Sequence, residues 1–370
     1  MRQGFSVGID IAKKDFKACM VYSKESKVKV KASSTFYNTA KGFEKFDSWC
    51  RKHSKDCSDI NFVLESTGVY GQSLSWFLHL RDYLVHIVLP TRAKSYMKSI
   101  GLKSKNDTID AKGLAIMAHT QQLDNWHPMS KLFYELRALT RYLEQLQAQR
   151  TVYLNQKEAI DNSYYDVKIV RKGLESQIKA VDRLILKCKQ HIEKTMNKDE
   201  QLKERIAHIT SIKGVGIITA AVILAETDGF ALIRNQKQLT SYAGYDVSEN
   251  QSGAKAGKSR ISKKGNAHIR RAMHLPAFNT VRYELKIFKN LYERVHEKNG
   301  IKMKAYVAVQ SKLLKLIYTL WKTETDFIDD YQNEFVRELE EKKADSKEPT
   351  SLDGLSIEKS KKALLPVEQI

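Results

Sequence analysis

The stretch Phe5-Ser6-Val7-Gly8-Ile9-Asp10-Ile11 decides the fold of the first third of the chain. Apolar residues at 5, 7, 9 and 11 alternate with Ser6, Gly8 and Asp10, the period-two pattern of a strand with one buried face. Asp10 is an acid inside that strand, near its end. Residues 16–22 and 28–36 read as two more strands, expected to be antiparallel. From there the pattern switches. Residues 42–52 read as a helix, 61–67 as a short buried strand carrying Glu65, and 71–81 as a helix. Residues 85–89 form a strand stopped by Pro90, and 92–100 a basic helix. Three strands followed by alternating helix and strand predict a mixed α/β sheet domain over residues 1–125.

Later in this domain comes Asn106-Asp107-Thr108-Ile109-Asp110. Asp107 and Asp110 stand three apart at a helix start, which puts both carboxylates on one face. An Asp at a helix start often serves as its cap, and that reading stays open for Asp107. Asp110 lies inside the first turn and points the same way. Asp10, Glu65, Asp107 and Asp110 are the oxygen donors a Mg²⁺ site needs. Two such ions clamp the attacking and leaving oxygens of a phosphodiester. The opposing reading is four unrelated surface acids. Their placement at strand ends and a helix start argues against it.

The chain has 370 residues, a formal charge of +20, 42% hydrophobic and 29% charged residues. That balance predicts a folded protein whose partner is polyanionic. No apolar run approaches the roughly 20 residues a membrane span requires, and no signal peptide is evident at the N-terminus. A cytoplasmic, nucleoid-associated protein is expected. The cysteines, Cys19, Cys50, Cys57 and Cys188, form no metal-binding pair and are expected to be reduced.

Residues 126–205 read as a spacer of long helices. Leu136, Leu139, Leu143, Leu146, Tyr153, Ile160, Tyr164, Val167, Leu174, Ile178, Val181, Ile185 and Ile192 make a heptad-like stripe, interrupted by Arg150, Lys157 and Arg171. Asp161-Asn162-Ser163 is expected to break the first helix, and Lys172-Gly173 the second. A helix pair that also contributes to a homo-oligomer is the favoured arrangement, and a bundle within one chain the other.

Residues 206–323 read as a helical domain. Ile212-Lys213-Gly214-Val215-Gly216 is similar to the turn of a helix-hairpin-helix, whose following helix start presents amides to a phosphate. A plain helix corner is the alternative. Residues 248–274 hold Ser252 beside Gly253, in a segment too rich in Gly, Ser and Asn for a regular helix or strand. Seven basic residues and no acid run from 255 to 271: Lys255, Lys258, Arg260, Lys263, Lys264, Arg270 and Arg271. A hydroxyl followed by cations suits a phosphodiester. A solvated basic loop whose serine serves turn chemistry is the other reading. Helices are expected over 269–283 and 292–321. Residues 324–341 carry eight acids against Arg337, and 324–370 reads as a charged tail, disordered in part.

Gly8-Ile-Asp-Ile-Ala-Lys13, Leu64-Glu-Ser-Thr-Gly68 and Lys105-Asn-Asp-Thr-Ile-Asp-Ala-Lys112 resemble the Asp-Glu-Asp-Asp motifs of a RuvC-like, RNase-H-fold domain. In particular they resemble the serine-containing insertion-sequence transposases described as bridge-RNA-guided recombinases. Ser241-Tyr-Ala-Gly-Tyr-Asp-Val, Gln251-Ser-Gly and Arg260-Ile-Ser-Lys-Lys-Gly-Asn resemble the C-terminal domain of the same family. The resemblance implies an RNase-H-like domain, a coiled-coil spacer and a helical serine domain. It implies that Asp10, Glu65, Asp107 and Asp110 hold Mg²⁺, and that Ser252 is the nucleophile of a 5′-phosphoserine intermediate. It further implies donor and target DNA as substrates and a non-coding bridge RNA as guide. The oligomer it implies is a tetramer with each site built from two protomers. Nucleic-acid contacts are expected from Lys13, Gly214, Gly216 and the seven cations after Ser252. The competing function is a RuvC-like, structure-specific nuclease that uses the four acids and water. A non-catalytic nucleic-acid scaffold is the third possibility, opposed by the acid motifs.

Overall fold

Phe5–Ile11 forms β1, the central strand of a five-stranded sheet, and is buried without a break from Ser6 to Ile9 because both faces of the sheet are covered. The computed structural model describes residues 4–25, 27–54, 60–66, 68–102, 106–248, 251–252, 255–256 and 260–329; for 248, 251–252 and 255–256 it describes the backbone only. The chain divides into two compact units, Met1–Pro128 and Met129–Ile370.

In the first unit, β2 (Asp15–Lys24) and β3 (Lys27–Tyr37) run antiparallel beside β1. Helix α1 (Ala40–His53) follows, capped by the Thr39 hydroxyl. Strands β4 (Asn61–Glu65) and β5 (Leu84–Val88) run parallel to β1 and are joined by α2 (Gln72–His79). The strand order is β3-β2-β1-β4-β5, a mixed sheet of RNase-H-like type. Pro90 opens α3 (Pro90–Ser99), where its missing N–H costs nothing. Helix α4 (Asp107–Thr120) then lies across β1 and β2.

The two faces of this sheet have separate cores. Val7, Ile9, Phe16, Phe46, Phe62 and Leu64 pack on one face, with Phe16 edge-on to Phe46. Cys19, Val21, Ala111 and Ala115 pack on the other, beside Val63, Leu114 and Met117. The small alanines let α4 sit close to the sheet.

The second unit begins with α5 (Lys131–Asp161) and α6 (Lys168–Met196), which pair antiparallel. Contacts along the pair fix that direction: the Cys188 thiol bonds the Leu139 carbonyl far from the turn, Arg150 pairs with Asp182 midway at 2.5 Å, and Lys157 meets Glu175 nearer the turn at 3.8 Å. The first expected break falls at Asn162. The second does not occur, because Gly173 lies inside α6 with open space around it and one glycine does not end a packed helix. Tyr164 and Val167 fall in the turn and are exposed, so they leave the predicted seam. The rest of the unit is α7 (Glu200–Thr210), α8 (Ile217–Thr227), α9 (Gln236–Ala243), α10 (Ala267–Ala272), α11 (His274–Arg282), α12 (Lys286–Asn299) and α13 (Lys302–Thr323).

Two expected single helices are each split. The helix expected over 269–283 breaks at Met273, where Pro276 has no N–H to give the Ala272 carbonyl. The helix expected over 292–321 breaks at Gly300, which takes a left-handed φ of 67°. Leu136, Ile192, Leu224, Phe230, Leu313 and Trp321 belong to one core, so the roots of α5 and α6 pack with the helices that follow them. Among the described residues no helix is long and apolar enough to cross a membrane. Residues 330–370, most of the expected tail, lie outside the described residues.

Candidate active site

In β1, Val7 and Ile9 point into the α1-side core, so Gly8 and Asp10 face α4. Gly8 is where the helix touches the sheet. A Cβ there would stand 2.1 Å from the Ala111 carbonyl oxygen and 2.2 Å from the Ala115 nitrogen. On β4, Leu64 points to the α1 side, so Glu65 follows onto the α4 side. Ile9 pairs with Leu64 in parallel register, and the next step along both strands places Asp10 beside Glu65.

Helix α4 brings the other two acids. Its cap is Asn106, whose side chain accepts from the Ile109 N–H at 2.8 Å. The capping role proposed for Asp107 therefore belongs to its neighbour, and Asp107 and Asp110 both sit in the first turn. The clearest electrostatic mark is on Asp10, whose carboxyl is pushed up to about 6. Burial contributes most; the charges of Asp107, Asp110 and Glu65 add to it, against a hydrogen bond from the Ile11 backbone. The structure thus gathers all four acids predicted from the sequence at one end of the sheet.

The donor set is all oxygen and carries surplus negative charge, which fits a hard divalent cation. Nevertheless, among the described residues no group of three or more His, Cys, Asp or Glu side chains is spaced to hold an ion as it stands.

One residue near these acids was not legible beforehand. Lys17 pairs with Asp10 across β1 and β2, and its ammonium donates to the Thr108 hydroxyl at 3.0 Å. Only the hairpin register reveals it. Lys13 is exposed just beyond β1.

In the second unit, the described residues around Ser252 include short strands that the composition does not predict. Its backbone forms two short antiparallel ladders. The first joins β6 (Val247–Ser248) to β9 (Arg260–Ile261), and the second joins β7 (Gln251–Ser252) to β8 (Lys255–Ala256). Ser252 pairs with Lys255 in the second ladder. Lys258 and Ser259 lie outside the described residues, and Lys255 is described by backbone alone. Arg260, Lys263 and Lys264 are exposed.

The two arginines of α10 have partners within the unit. Arg270 donates to the Ala243 carbonyl at 2.7 Å, and Arg271 pairs with Glu144. Glu144 also holds Nδ1 of His268 at 2.5 Å. Burial, with Arg141 and Arg137 nearby, lowers the His268 pKa against the pull of Glu226. Gly214 takes a left-handed φ of 106° and packs on Asn279, while Gly216 caps α8. Lys213 lies over the Tyr283 ring at 4.8 Å.

Residues 7–164 match the DEDD transposase family of IS110, and residues 206–293 match the transposase family IS116/IS110/IS902. The chain belongs to the IS110 transposase family. It is therefore a DNA recombinase of the transposase class. Among curated relatives, the pilin gene-inverting protein of Moraxella bovis is 27% identical over 315 residues, covering 85% of this chain and 94% of that protein. The pilin gene-inverting protein of Moraxella lacunata matches over the same shares at the same identity. Among solved structures, RuvC of Thermus thermophilus aligns over 33% of this transposase and all of its own chain, at 11% identity and a TM-score of 0.26.

Proposed function

We propose that this transposase cuts and rejoins DNA through a covalent 5′-phosphoserine at Ser252, with Asp10, Glu65, Asp107 and Asp110 serving as the ligands of Mg²⁺. The observation that carries the reading is the raised Asp10 carboxyl, crowded by the other three acids. Such a cluster is costly in a protein with no cation to neutralise it.

The chemistry balances without an energy source. The Ser252 hydroxyl loses its proton and its oxygen bonds to phosphorus. The bond from phosphorus to the 3′ oxygen breaks, and that oxygen leaves as a 3′ hydroxyl. A 3′ hydroxyl from another strand then attacks the phosphoserine and releases the serine. Bound divalent ions would neutralise charge building on the phosphate oxygens. Exposed Arg260, Lys263 and Lys264 are suited to hold the DNA backbone, a role that carries no sequence preference. Sequence choice falls to a base-paired bridge RNA under this reading. The acid site and Ser252 of one reaction come from different protomers of a homo-oligomer, dimer to tetramer. Inversion of a DNA segment, the act named for the Moraxella relatives, is one outcome of such strand exchange.

The test uses full-length protein with element-end DNA, target DNA and RNA transcribed from the element's flanking non-coding sequence. Wild type should give a protein–DNA adduct that survives SDS. Ser252→Ala should lose the adduct and recombination while binding nucleic acid within about threefold of wild type, because phosphate contacts dominate affinity. Asp10→Ala or chelation should also block the reaction. Cleavage by Ser252→Ala without an adduct would favour the water-using nuclease and sink the serine step.

A further inference from the structure

The hairpin that carries Ser252 leaves and re-enters the helical body at one crossing. Gly244 takes a left-handed φ of 76°, and a Cβ on Gly265 would stand 2.5 Å from the Gly244 nitrogen and 2.6 Å from the Tyr242 carbonyl. The Asn266 N–H donates to that same carbonyl at 2.7 Å, and the Ser262 N–H donates to the Asp246 carbonyl at 2.7 Å. The two arms are therefore in backbone contact at their foot.

Beneath the foot lies Glu226 of α8, with a relative exposure of 0%. Its carboxylate takes two hydrogen bonds from Arg141 of α5, at 2.7 and 3.0 Å, and an ion pair from Arg137 at 3.2 Å. It takes a further hydrogen bond, 2.6 Å long, from the Asn266 side-chain amide. The other end of that amide caps α10, accepting from the N–H groups of His268 and Ile269 at 2.9 and 3.2 Å. The Tyr242 hydroxyl closes the circuit by donating to the Glu226 carbonyl at 2.8 Å. An apolar cluster would fill this space at least as stably as a buried ion pair. What the polar circuit adds is direction, since each group accepts only a partner at a set angle.

We propose that Glu226 and Asn266 are positioning residues for recombination. Their hydrogen bond sets the angle at which the Ser252 hairpin leaves the body, and locks that angle to α5. The proposal rests on Ser252 being the nucleophile. Buried beneath the foot, Glu226 acts through Asn266 and the hairpin alone.

The test compares Glu226→Gln, Asn266→Asp and the double variant in full-length protein. Asn266→Asp sets two carboxylates against each other. In the double variant the hydrogen bond between 226 and 266 is restored with its polarity reversed, the introduced glutamine amide donating and the introduced aspartate accepting, while that amide replaces the oxygen that took Arg141 Nη2 and Arg137. That aspartate can still cap α10. At saturating DNA, Asn266→Asp should form the SDS-resistant adduct at least about tenfold more slowly, as expected of a reacting group misplaced by an ångström or less. Its DNA affinity should stay within about threefold of wild type, because the phosphate-contacting cations are untouched. Adding Glu226→Gln should make the adduct form at least about threefold faster than in Asn266→Asp, the signature of two residues that act as a pair. If Asn266→Asp does not fold, Glu226→Gln set against the double variant gives the same comparison, with the second substitution again restoring speed. A parental adduct rate in Asn266→Asp, or no recovery in the double variant despite restored amide-exchange protection at Ser262 and Asn266, overturns the proposal. Ser252→Ala run in parallel separates the two claims. An adduct that persists there defeats the serine reading, whereas its loss together with an unaffected Asn266→Asp defeats only the positioning role.

Discussion

Asp10 and Glu65 stand side by side on parallel strands, one step beyond the paired Ile9 and Leu64. The strand alternation that buries Ile9 and Leu64 turns both acids onto the α4 face. The acid site is thus a consequence of the sheet register, and several outcomes follow from the way it is built.

The acid cluster should weaken the fold in the absence of metal. The folded Asp10 pKa of about 6 lies above its ordinary 3.8. Between those values the folded chain keeps a proton that the unfolded chain has released. Stability therefore falls as pH rises through that window, and the loss is complete above it. Asp10→Asn should raise stability by about 1 kcal/mol at neutral pH in metal-free buffer, a figure cut for solvent screening of a half-exposed group, and by nothing near pH 3.5. Urea midpoints at the two pH values check this. An equal gain at both would show that neither burial nor the neighbouring acids raise the Asp10 carboxyl.

Gly8→Ala should damage both fold and site. The added methyl meets backbone of α4 at Ala111, Leu114 and Ala115, not side chains that can swing away. Overpacking against backbone costs about 1–3 kcal/mol or more. Shifting α4 also moves Asp107 and Asp110 away from Asp10. A drop in thermal midpoint with a larger drop in cleavage rate is the expected pair of results, and an unchanged midpoint would refute the contact.

Arg141→Met should destabilise the second unit. It removes both hydrogen bonds of one guanidinium from Glu226, a carboxylate held below its ordinary pKa. Burial pushes that carboxyl up; the hydrogen bonds from Arg141 and Asn266 and the nearby Arg137 charge outweigh it. Leaving such a charge half-paired costs roughly 3 kcal/mol. Because the folded pKa of Glu226 is depressed, its pairing stabilises the fold above the ordinary carboxylate range and fades as pH falls through the folded value. The Arg141→Met deficit should therefore shrink in acid, which denaturant titrations at neutral and acidic pH would reveal.

The thiols of Cys19, Cys50 and Cys188 are buried. Burial pushes the Cys19 thiol up to about 11, against the pull of Lys112, and raises that of Cys188 as well. Because thiolates are the reactive form, all three should alkylate slowly in native protein and quickly in denaturant. Peptide mass mapping separates them from Cys57. Rapid native labelling of Cys19 would contradict its place under α4.

How much of this was visible beforehand depends on whether local pattern or long-range contact decides each feature. Strand β1 was legible because its alternation is a local property of seven residues. The splitting of the helix around Met273 was written in the sequence, since Pro276 has no N–H for the Ala272 carbonyl, but the apolar pattern that runs on through it reads as one helix. The hairpin around Ser252 was missed because its Gly and Ser content argues for a loop, while cross-strand pairing of Val247 with Ile261 spans fourteen positions.

The sequence by itself determined the RNase-H-like domain, the acids Asp10, Glu65, Asp107 and Asp110, and the family, since periodicity and motif order are written along the chain. Tertiary structure alone decided that Lys17 stands opposite Asp10 and that Glu226 underlies the hairpin foot. Those facts depend on register and on which side chains meet across the core. A hydrogen bond between residues 40 positions apart, such as Glu226 and Asn266, leaves no local periodic trace.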